Sequence, residues 1–224
     1  MADSVGPRLA RAHVRAPGAL LFRLGIPTAL PPLRRVFFLD QTRNFLIQVQ
    51  PSRFLSNWRR IQDNDVYPRF DRIFDAFKAN WRRFLAFLQT SRIEAPAVNQ
   101  YELTYIDHVL EGDVTLPAGI EESIPVFAWS KARSTNFLPA PGAVGLNMQF
   151  ALPSAKGVLH VTINHGQRST DRKNVLVMNL TARGPGRPDA GDLDEWFAVA
   201  HEWTVKGFRD LTSLTAHAKW GVRQ

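Results

Sequence analysis

The residues near the C-terminus that could hold a metal are His201, Glu202 and His217. Imidazole and carboxylate groups are common ligands of transition metals, so this segment raises the question of a metal site. The spacing argues against one, because Val205 stands where the H-E-x-x-H pattern needs its second histidine. We therefore predict no metal site and expect Glu202 to pair with Lys206, one helical turn away.

A second candidate is an acid and base pair formed by Glu102 and His160, which fall on the same predicted sheet face. A histidine can take a proton while a carboxylate orients its ring, which is the minimum arrangement for general acid-base catalysis. The sequence has no Gly-rich phosphate loop, no G-x-S-x-G elbow and no cysteine, which excludes thiol nucleophiles and zinc-thiolate centres. We therefore predict a non-enzymatic protein without a cofactor, and keep a hydrolase with this His/Glu pair as the third alternative.

The strands that would position these residues are predicted from β-branched and aromatic residues in alternation with polar ones. Turn-forming residues such as Pro51 and Ser52 separate them. The predicted strands cover residues 35–40, 45–50, 54–60, 98–109, 146–152, 158–165 and 175–182, with a short further strand at 126–130.

Two long amphipathic helices are predicted between and after these strands. For the first, Asp65 is the expected N-terminal cap and Pro68 is placed in the first turn. For the second, Asp192 and Glu195 form a capping box, and Thr212 is expected to cap a short final helix. The sequence thus predicts an α+β fold, in which an antiparallel sheet carries both long helices on one face as two layers. Each half reads as several strands and a helix, so a weak internal duplication stays open.

Alternation sorts the strand side chains into an apolar set, which the helices must cover, and a polar set on the opposite face. The polar set is unusual because most of its members are uncharged amides, hydroxyls and imidazoles. Such groups can be buried against a polar partner without the penalty of burying an ion. We predict that they form a binding face, and an ordinary solvated sheet surface is the alternative that remains open. The predicted binding residues are Gln48, Gln50, Gln100, Glu102, Thr104, Asn147, Gln149, His160, Thr162 and Asn179.

The net charge of +8 raises nucleic acid as a partner, because Lys and Arg release counterions from phosphates. Residues 1–35 carry six arginines against a single aspartate and are rich in proline and glycine. We therefore predict a basic, mobile Pro/Arg-rich arm over residues 1–34, followed by a single α+β domain over residues 35–224. The nucleic-acid alternative would use this arm together with basic residues whose guanidinium and ammonium groups suit phosphate. These are Arg59, Arg60, Arg168, Arg172 and Lys173.

The apolar segments of the sequence are short. None reaches the ~18 residues needed to cross a bilayer, so we expect no membrane partner. The lack of cysteine gives no sign of an oxidising compartment, and we expect a cytoplasmic protein. The leading hypothesis is a non-enzymatic module that binds a polar small molecule or a protein partner on the polar face. A homo-oligomer is compatible with that hypothesis.

Several short motifs occur together in the sequence. They are L-I-Q-V-Q-P-S-R-F at 46–54, N-W-R at 57–59, Y-P-R at 67–69, V-N-Q-Y-E-L-T-Y-I at 98–106, L-H-V-T-I at 159–163, H-E-W at 201–203, D-L-T at 210–212 and W-G at 220–221. In this combination the chain resembles a sporadically distributed family of uncharacterised bacterial proteins, from about residue 36 onward. The N-terminal arm departs from the family pattern. The resemblance implies a bacterial cytoplasmic protein and supplies no activity and no catalytic residue.

Overall fold

The computed structural model describes residues 35–62, 64–112, 119–128, 137–138, 141–168, 171–186 and 190–220. These residues divide into two compact units, 35–96 and 97–220, where the sequence predicted one domain. The α+β class with antiparallel strands is confirmed. The prediction of a single sheet is wrong, because the strands form two sheets, one of three strands and one of four. Alternation identifies strands and faces, but it does not say which strands pair. The predicted arm over residues 1–34 lies outside the described residues.

The unit of residues 35–96 is a three-stranded antiparallel meander followed by a long helix. Its elements are β1 (Val36–Leu39), β2 (Phe45–Gln50), β3 (Arg53–Trp58) and α1 (Phe70–Thr90). Strand β2 is central, so that Ile47 lies opposite both Phe38 and Ser56. The helix packs on β3 through Phe54, whose ring centroid is 5.2 Å from that of Trp81.

The start of α1 differs from the prediction. The helix begins at Phe70, after Arg69 with a φ of 74°, and no side chain caps it. Asp65 instead accepts hydrogen bonds at 2.8 Å from the backbone N–H groups of both Ile61 and Gln62. These bonds lower the pKa of Asp65 below its usual value. The carboxylate therefore closes a turn before the helix and is not available as its cap.

The unit of residues 97–220 is a four-stranded antiparallel sheet with a long helix on one face. Its elements are β4 (Gln100–Leu110), α2 (Ile120–Ser123), β5 (Gly145–Ala151), β6 (Val158–Gln167), β7 (Asn174–Pro185), α3 (Ala190–Leu211) and α4 (Leu214–Trp220). The strand order is β4-β7-β6-β5. Strands β5, β6 and β7 form a meander that leads into α3, as β1, β2 and β3 lead into α1. Internal duplication stays a prediction.

The core of this unit lies between α3 and the apolar sheet face. Tyr101 packs against Trp196 and Phe197, with ring centroids 5.5 and 5.9 Å away. Further along the helix, a Cβ atom on Gly207 would lie 3.3 Å from Leu159 and 3.8 Å from Leu180. The helix therefore crosses the sheet from the edge strand β4 towards β6 and β7, and buries apolar side chains of all three.

Gly184 lets the chain after β5 approach strand β7 closely. A Cβ atom at this position would overlap the carbonyl oxygen of Lys156 and the indole nitrogen of Trp196. That space is occupied by a hydrogen bond of 2.8 Å, which Trp196 Nε1 donates to the Lys156 carbonyl. Lys156 also forms an ion pair of 2.9 Å with Glu195. These contacts fix the first turns of α3 against the sheet.

Three local predictions are corrected. Residues 126 and 127 of the expected strand at 126–130 belong to a 3₁₀ turn over residues 125–127, and residues 129 and 130 lie outside the described part of the chain. Helix α4 is capped by Ser213, whose hydroxyl accepts a hydrogen bond of 3.1 Å from the N–H of Ala216. Thr212 instead donates to the carbonyl of Phe208 at 2.6 Å. Helix α3 begins at Ala190, so Asp192 lies within its first turn and is not its N-cap, and the predicted capping box is wrong.

Candidate functional site: the polar face of the four-stranded sheet

The face of β4–β7 that points away from α3 carries ordered rows of polar side chains, and we call it the outer face. Gln149, His160, Thr181 and Thr104 lie directly opposite one another across all four strands. The next row along the strands is Asn147, Thr162, Asn179 and Ile106. Neighbouring strands are ~4.8 Å apart, so each row spans about 14 Å. The register thus places most of the predicted binding residues on one surface.

The half of the outer face formed by β4 and β7 is hydrogen-bonded within itself. The hydroxyl groups of Thr104 and Thr181 are 3.1 Å apart. Arg183 Nε lies 2.7 Å from a carboxylate oxygen of Glu102 at the end of the sheet. Asn179 Nδ2 also donates to the Thr162 hydroxyl at 3.2 Å, which joins β7 to β6. These polar groups have protein partners and need no ligand to satisfy them.

The half formed by β5 and β6 is different. Asn147 and Gln149 are exposed on the edge strand β5, and His160 is half-buried beside Gln149. Among the described residues, none of these three side chains has a hydrogen-bond partner. Their amide and imidazole groups keep free donors and acceptors. This cluster of Asn147, Gln149 and His160 therefore has side-chain donors and acceptors that no described residue uses.

Not every predicted binding residue belongs to this surface. Gln48 and Gln50 are on β2 of the three-stranded sheet, where Gln48 lies opposite Phe37 and Leu55. The prediction grouped them with the outer face because alternation cannot distinguish one sheet from two. Gln100 lies at the end of the outer face, opposite Pro185, and is exposed.

The predicted acid and base pair is not brought together. Glu102 is on β4 and His160 is on β6, with β7 between them and a shift of one row along the strands. Their Cα atoms are therefore about 10 Å apart or more. Glu102 is also taken up by its ion pair with Arg183. The strand register therefore places no carboxylate beside His160 that could orient its ring.

The five basic residues of the nucleic-acid alternative fall in both units. Arg59 donates a hydrogen bond of 3.0 Å to the carbonyl of Arg43, and the buried Nε of Arg60 has no hydrogen-bond partner among the described residues. Arg168 is paired with Asp171 through two contacts, one of them 2.8 Å long. Arg172 and Lys173 follow in the same loop, and both are exposed. Arg168 therefore already has a carboxylate partner.

His108 lies at the end of the outer face near this loop. Burial lowers its pKa below the usual value, and the positive charge of Arg168 adds to the effect. A neutral imidazole is therefore the form that the fold stabilises at this position.

The C-terminal residues considered as metal ligands point to separate partners. His201 Nδ1 lies 3.1 Å from the hydroxyl of Tyr105, and His217 Nε2 lies 2.7 Å from that of Thr212. Glu202 forms the expected ion pair with Lys206. Within the described residues, no group of three or more His, Asp or Glu side chains is arranged to hold a metal ion.

Asp107 is the titratable residue that the sequence reasoning missed. It follows Tyr105 by two positions on β4 and therefore points to the α3 side of the sheet, opposite Met178. Burial raises its pKa to about 7. The signal was present in the sequence, because alternation places Asp107 in the apolar set with Tyr101 and Leu103. A carboxyl group in a set that must face the core is the anomaly to look for.

Comparisons of the chain with family models, curated proteins and solved structures found no match. The resemblance to an uncharacterised bacterial family therefore stays a prediction. Among the helices of the described residues, none combines the length and the apolar character that crossing a bilayer requires.

Proposed function

We propose that the protein is a non-enzymatic binding module that recognises a protein partner with the outer face of its four-stranded sheet. The observation that carries this proposal is the cluster of Asn147, Gln149 and His160. These side chains carry amide and imidazole groups, lie side by side and have no hydrogen-bond partner among the described residues. In the other half of the same face, Thr104 is hydrogen-bonded to Thr181, and Glu102 is paired with Arg183.

The amide groups of the cluster support binding by direct contact. Covering a lysine or glutamate would cost several kcal/mol unless the partner supplied an opposite charge. An amide or imidazole can be covered at little cost if the partner offers a matching donor or acceptor. Each of these groups would be costly to bury unpaired, so the cluster favours partners that present polar groups in register. This supplies specificity as well as contact area.

The shape of the surface favours a protein over a small polar molecule. Binding sites for small molecules are concave and bring a few polar groups together around the ligand. Here Asn147 and Gln149 project side by side from an edge strand, about 7 Å apart, and both are exposed. An open, pleated surface of this kind suits an interface between proteins.

Two other functions have less support. A nucleic-acid surface would use exposed aromatic rings for stacking or unpaired cations for phosphate. The outward positions of β4–β7 hold no Phe, Tyr or Trp, and Arg168 is paired with Asp171. A hydrolase would need His160 beside a carboxylate, and Glu102 is two strands away.

The test compares three versions of the full chain as immobilised bait in an extract of cells that produce it. They are wild type, the double variant Gln149→Ala/His160→Ala, and the control Thr104→Ala/Thr181→Ala on the other half of the same face. We expect a partner that wild type and control enrich equally and that the double variant loses, by quantitative mass spectrometry. If all three baits capture the same proteins, the proposal is wrong. If capture falls steeply with salt and disappears after nuclease treatment, the nucleic-acid alternative replaces it.

A further inference from the structure

Strand β5 is one of the two edges of the four-stranded sheet. Within the described residues it pairs with β6 and with no other strand, and residues 145, 147, 149, 150 and 151 are exposed. An edge strand presents unpaired backbone donors and acceptors that can pair with another chain. The question is which of its residues present them, and on which side.

The hydrogen bonds at the two ends of β5 settle which residues point outward. The N–H of His165 donates to the carbonyl of Val144 at 3.0 Å, and the N–H of Leu152 donates to the carbonyl of Gly157 at 2.8 Å. In an antiparallel pair, hydrogen-bonded and non-hydrogen-bonded residues alternate. Even-numbered residues therefore bond to β6. The backbone groups of residues 145, 147, 149 and 151 point away from the sheet.

The residues with free backbone groups are also those of the polar cluster. Asn147 and Gln149 direct their side chains to the outer face. Along a strand, the direction of the side chain and the direction of the backbone N–H and C=O groups both alternate from one residue to the next, so residues whose backbone groups point outward share one face of the sheet. On the opposite face, Met148 is half-buried and Phe150 keeps 40% of its surface exposed. The edge therefore offers polar groups on one face and apolar groups on the other, with free backbone groups between them.

Two of the features that normally discourage pairing at an edge strand are missing from β5. Residues 145–151 include no charged residue and no proline. Natural edge strands are generally protected by such residues, by bulges or by a covering segment. On β4, the opposite edge, the charged side chain of Glu102 lies on the outer face and is paired with Arg183. Of these two edges, β5 is the one suited to accept a strand.

We propose that the partner adds an extended segment to β5 as a fifth strand of the sheet. This inference rests on the proposed function and names the kind of partner. The segment alternates polar residues, which contact Asn147, Gln149 and His160, with apolar residues, which cover Phe150 and Met148. Its backbone pairs with residues 145, 147, 149 and 151. Main-chain bonds supply the affinity and the alternating side chains supply the specificity.

The first test is amide hydrogen exchange of the isotopically labelled full chain, followed by NMR. The probe is a short peptide of alternating threonine and valine, blocked at both ends, flanked by lysines and added at millimolar concentration. We expect exchange at Asn147, Gln149 and Ala151 to slow by about tenfold, with no change at Met148, which already bonds to β6. Unchanged exchange at the first three amides overturns the inference. So does protection that grows with protein concentration before peptide is added, because a second copy would then occupy the edge.

The second test separates the backbone from the side chain at one position. Gln149→Ala removes the amide side chain and keeps the outward N–H, whereas Gln149→Pro removes both, and proline is tolerated where an edge N–H faces solvent. We expect peptide binding to weaken in the alanine variant and to be lost in the proline variant. Exchange rates in β7 verify that both variants are folded. Equal loss in the two variants overturns edge pairing and leaves the proposed function standing. The proposed function itself fails only in the capture experiment.

Discussion

The two units contain the same local arrangement, a three-stranded meander followed by a long helix, yet they differ in how much they bury. In the unit of residues 97–220, core side chains such as Val161, Ile163 and Leu180 have no exposed surface. Among the described residues of the unit 35–96, the one apolar side chain that is buried is Leu88, at 7%. The amphipathic helix is present in both. An apolar stripe therefore does not by itself produce a closed core.

The width of the sheet accounts for this difference. Helix α3 packs on β4, β6 and β7, so side chains from three strands meet it. Helix α1 packs on β3, and the edge strand β1 lies two strands away from β3, with Val36 and Phe38 exposed to 46% and 57%. Burial of apolar area is the main favourable term in folding. We therefore expect the unit of residues 97–220 to carry most of the stability.

The largest effect should come from truncating the same residue type in each unit. Leu180 is fully buried, and Leu180→Ala should lower the free energy of unfolding by about 3 to 4 kcal/mol through lost burial and a cavity. Leu55 on β3 is half-buried, and Leu55→Ala should cost about 1 kcal/mol. Urea denaturation of both variants measures the difference. Equal losses would show that both leucines sit in equally closed cores, and the contrast between the units would be wrong.

The sequence predicted much of this architecture because strand alternation and helical periodicity are local properties. The strands at residues 146–152, 158–165 and 175–182 were located to within a few residues. Pairing between strands that are distant in the sequence was not predicted, because it depends on contacts that a local pattern does not contain. That is why Gln48 and Gln50 were assigned to a sheet to which they do not belong.

The candidate site was predictable in part for the same reason. Alternation placed Asn147, Gln149 and His160 on one face, and the register aligns them. The pairing of Glu102 with Arg183 was not predictable, because the predicted strand ended at residue 182, whereas β7 includes Arg183. The free edge of β5 also needed the strand order, which sequence periodicity does not contain.

The second prediction concerns Asp107 in the unit with the closed core. Its pKa rises from 3.8 to about 7 on folding, so the folded state keeps a proton that the unfolded state releases between these pH values. Stability should therefore be unaffected by this group below pH 3.8, fall as the pH rises to about 7, and stay lower above it. The rise of the pKa from 3.8 to about 7 corresponds to a loss in the free energy of unfolding of at most about 4 kcal/mol. We expect about 2 kcal/mol, because the side chain keeps some accessible surface.

Asp107→Asn removes this penalty, so the variant should be more stable than wild type at pH 8 and equal to it near pH 4. Urea denaturation across that pH range measures the difference. The control is Asp171→Asn, at an exposed carboxylate whose pKa the hydrogen bond from Arg168 lowers to about 2. It should give no stabilisation at pH 8. A destabilised Asp107→Asn variant at pH 8 would mean that the carboxylate is favoured in the fold, contrary to the raised pKa.

The smallest effect compares one residue type in the two units. Asn44 is buried, and its Nδ2 donates to the carbonyl of Arg59 at 3.0 Å and to Asp65 at 2.6 Å. Asn44→Ala should cost about 1 kcal/mol, because it leaves both acceptors without that donor. Asn147 is exposed and unpaired among the described residues, so Asn147→Ala should change stability by less than about 0.5 kcal/mol.

Amide hydrogen exchange then shows which residues lose stability in the Asn44→Ala variant. In a unit that buries few side chains, a polar contact of this kind holds a large share of the local structure, so faster exchange should be confined to residues 44–65. If exchange also quickens throughout β6 and β7, the two units unfold together. The difference in burial between them would then describe packing alone and would not divide their stability.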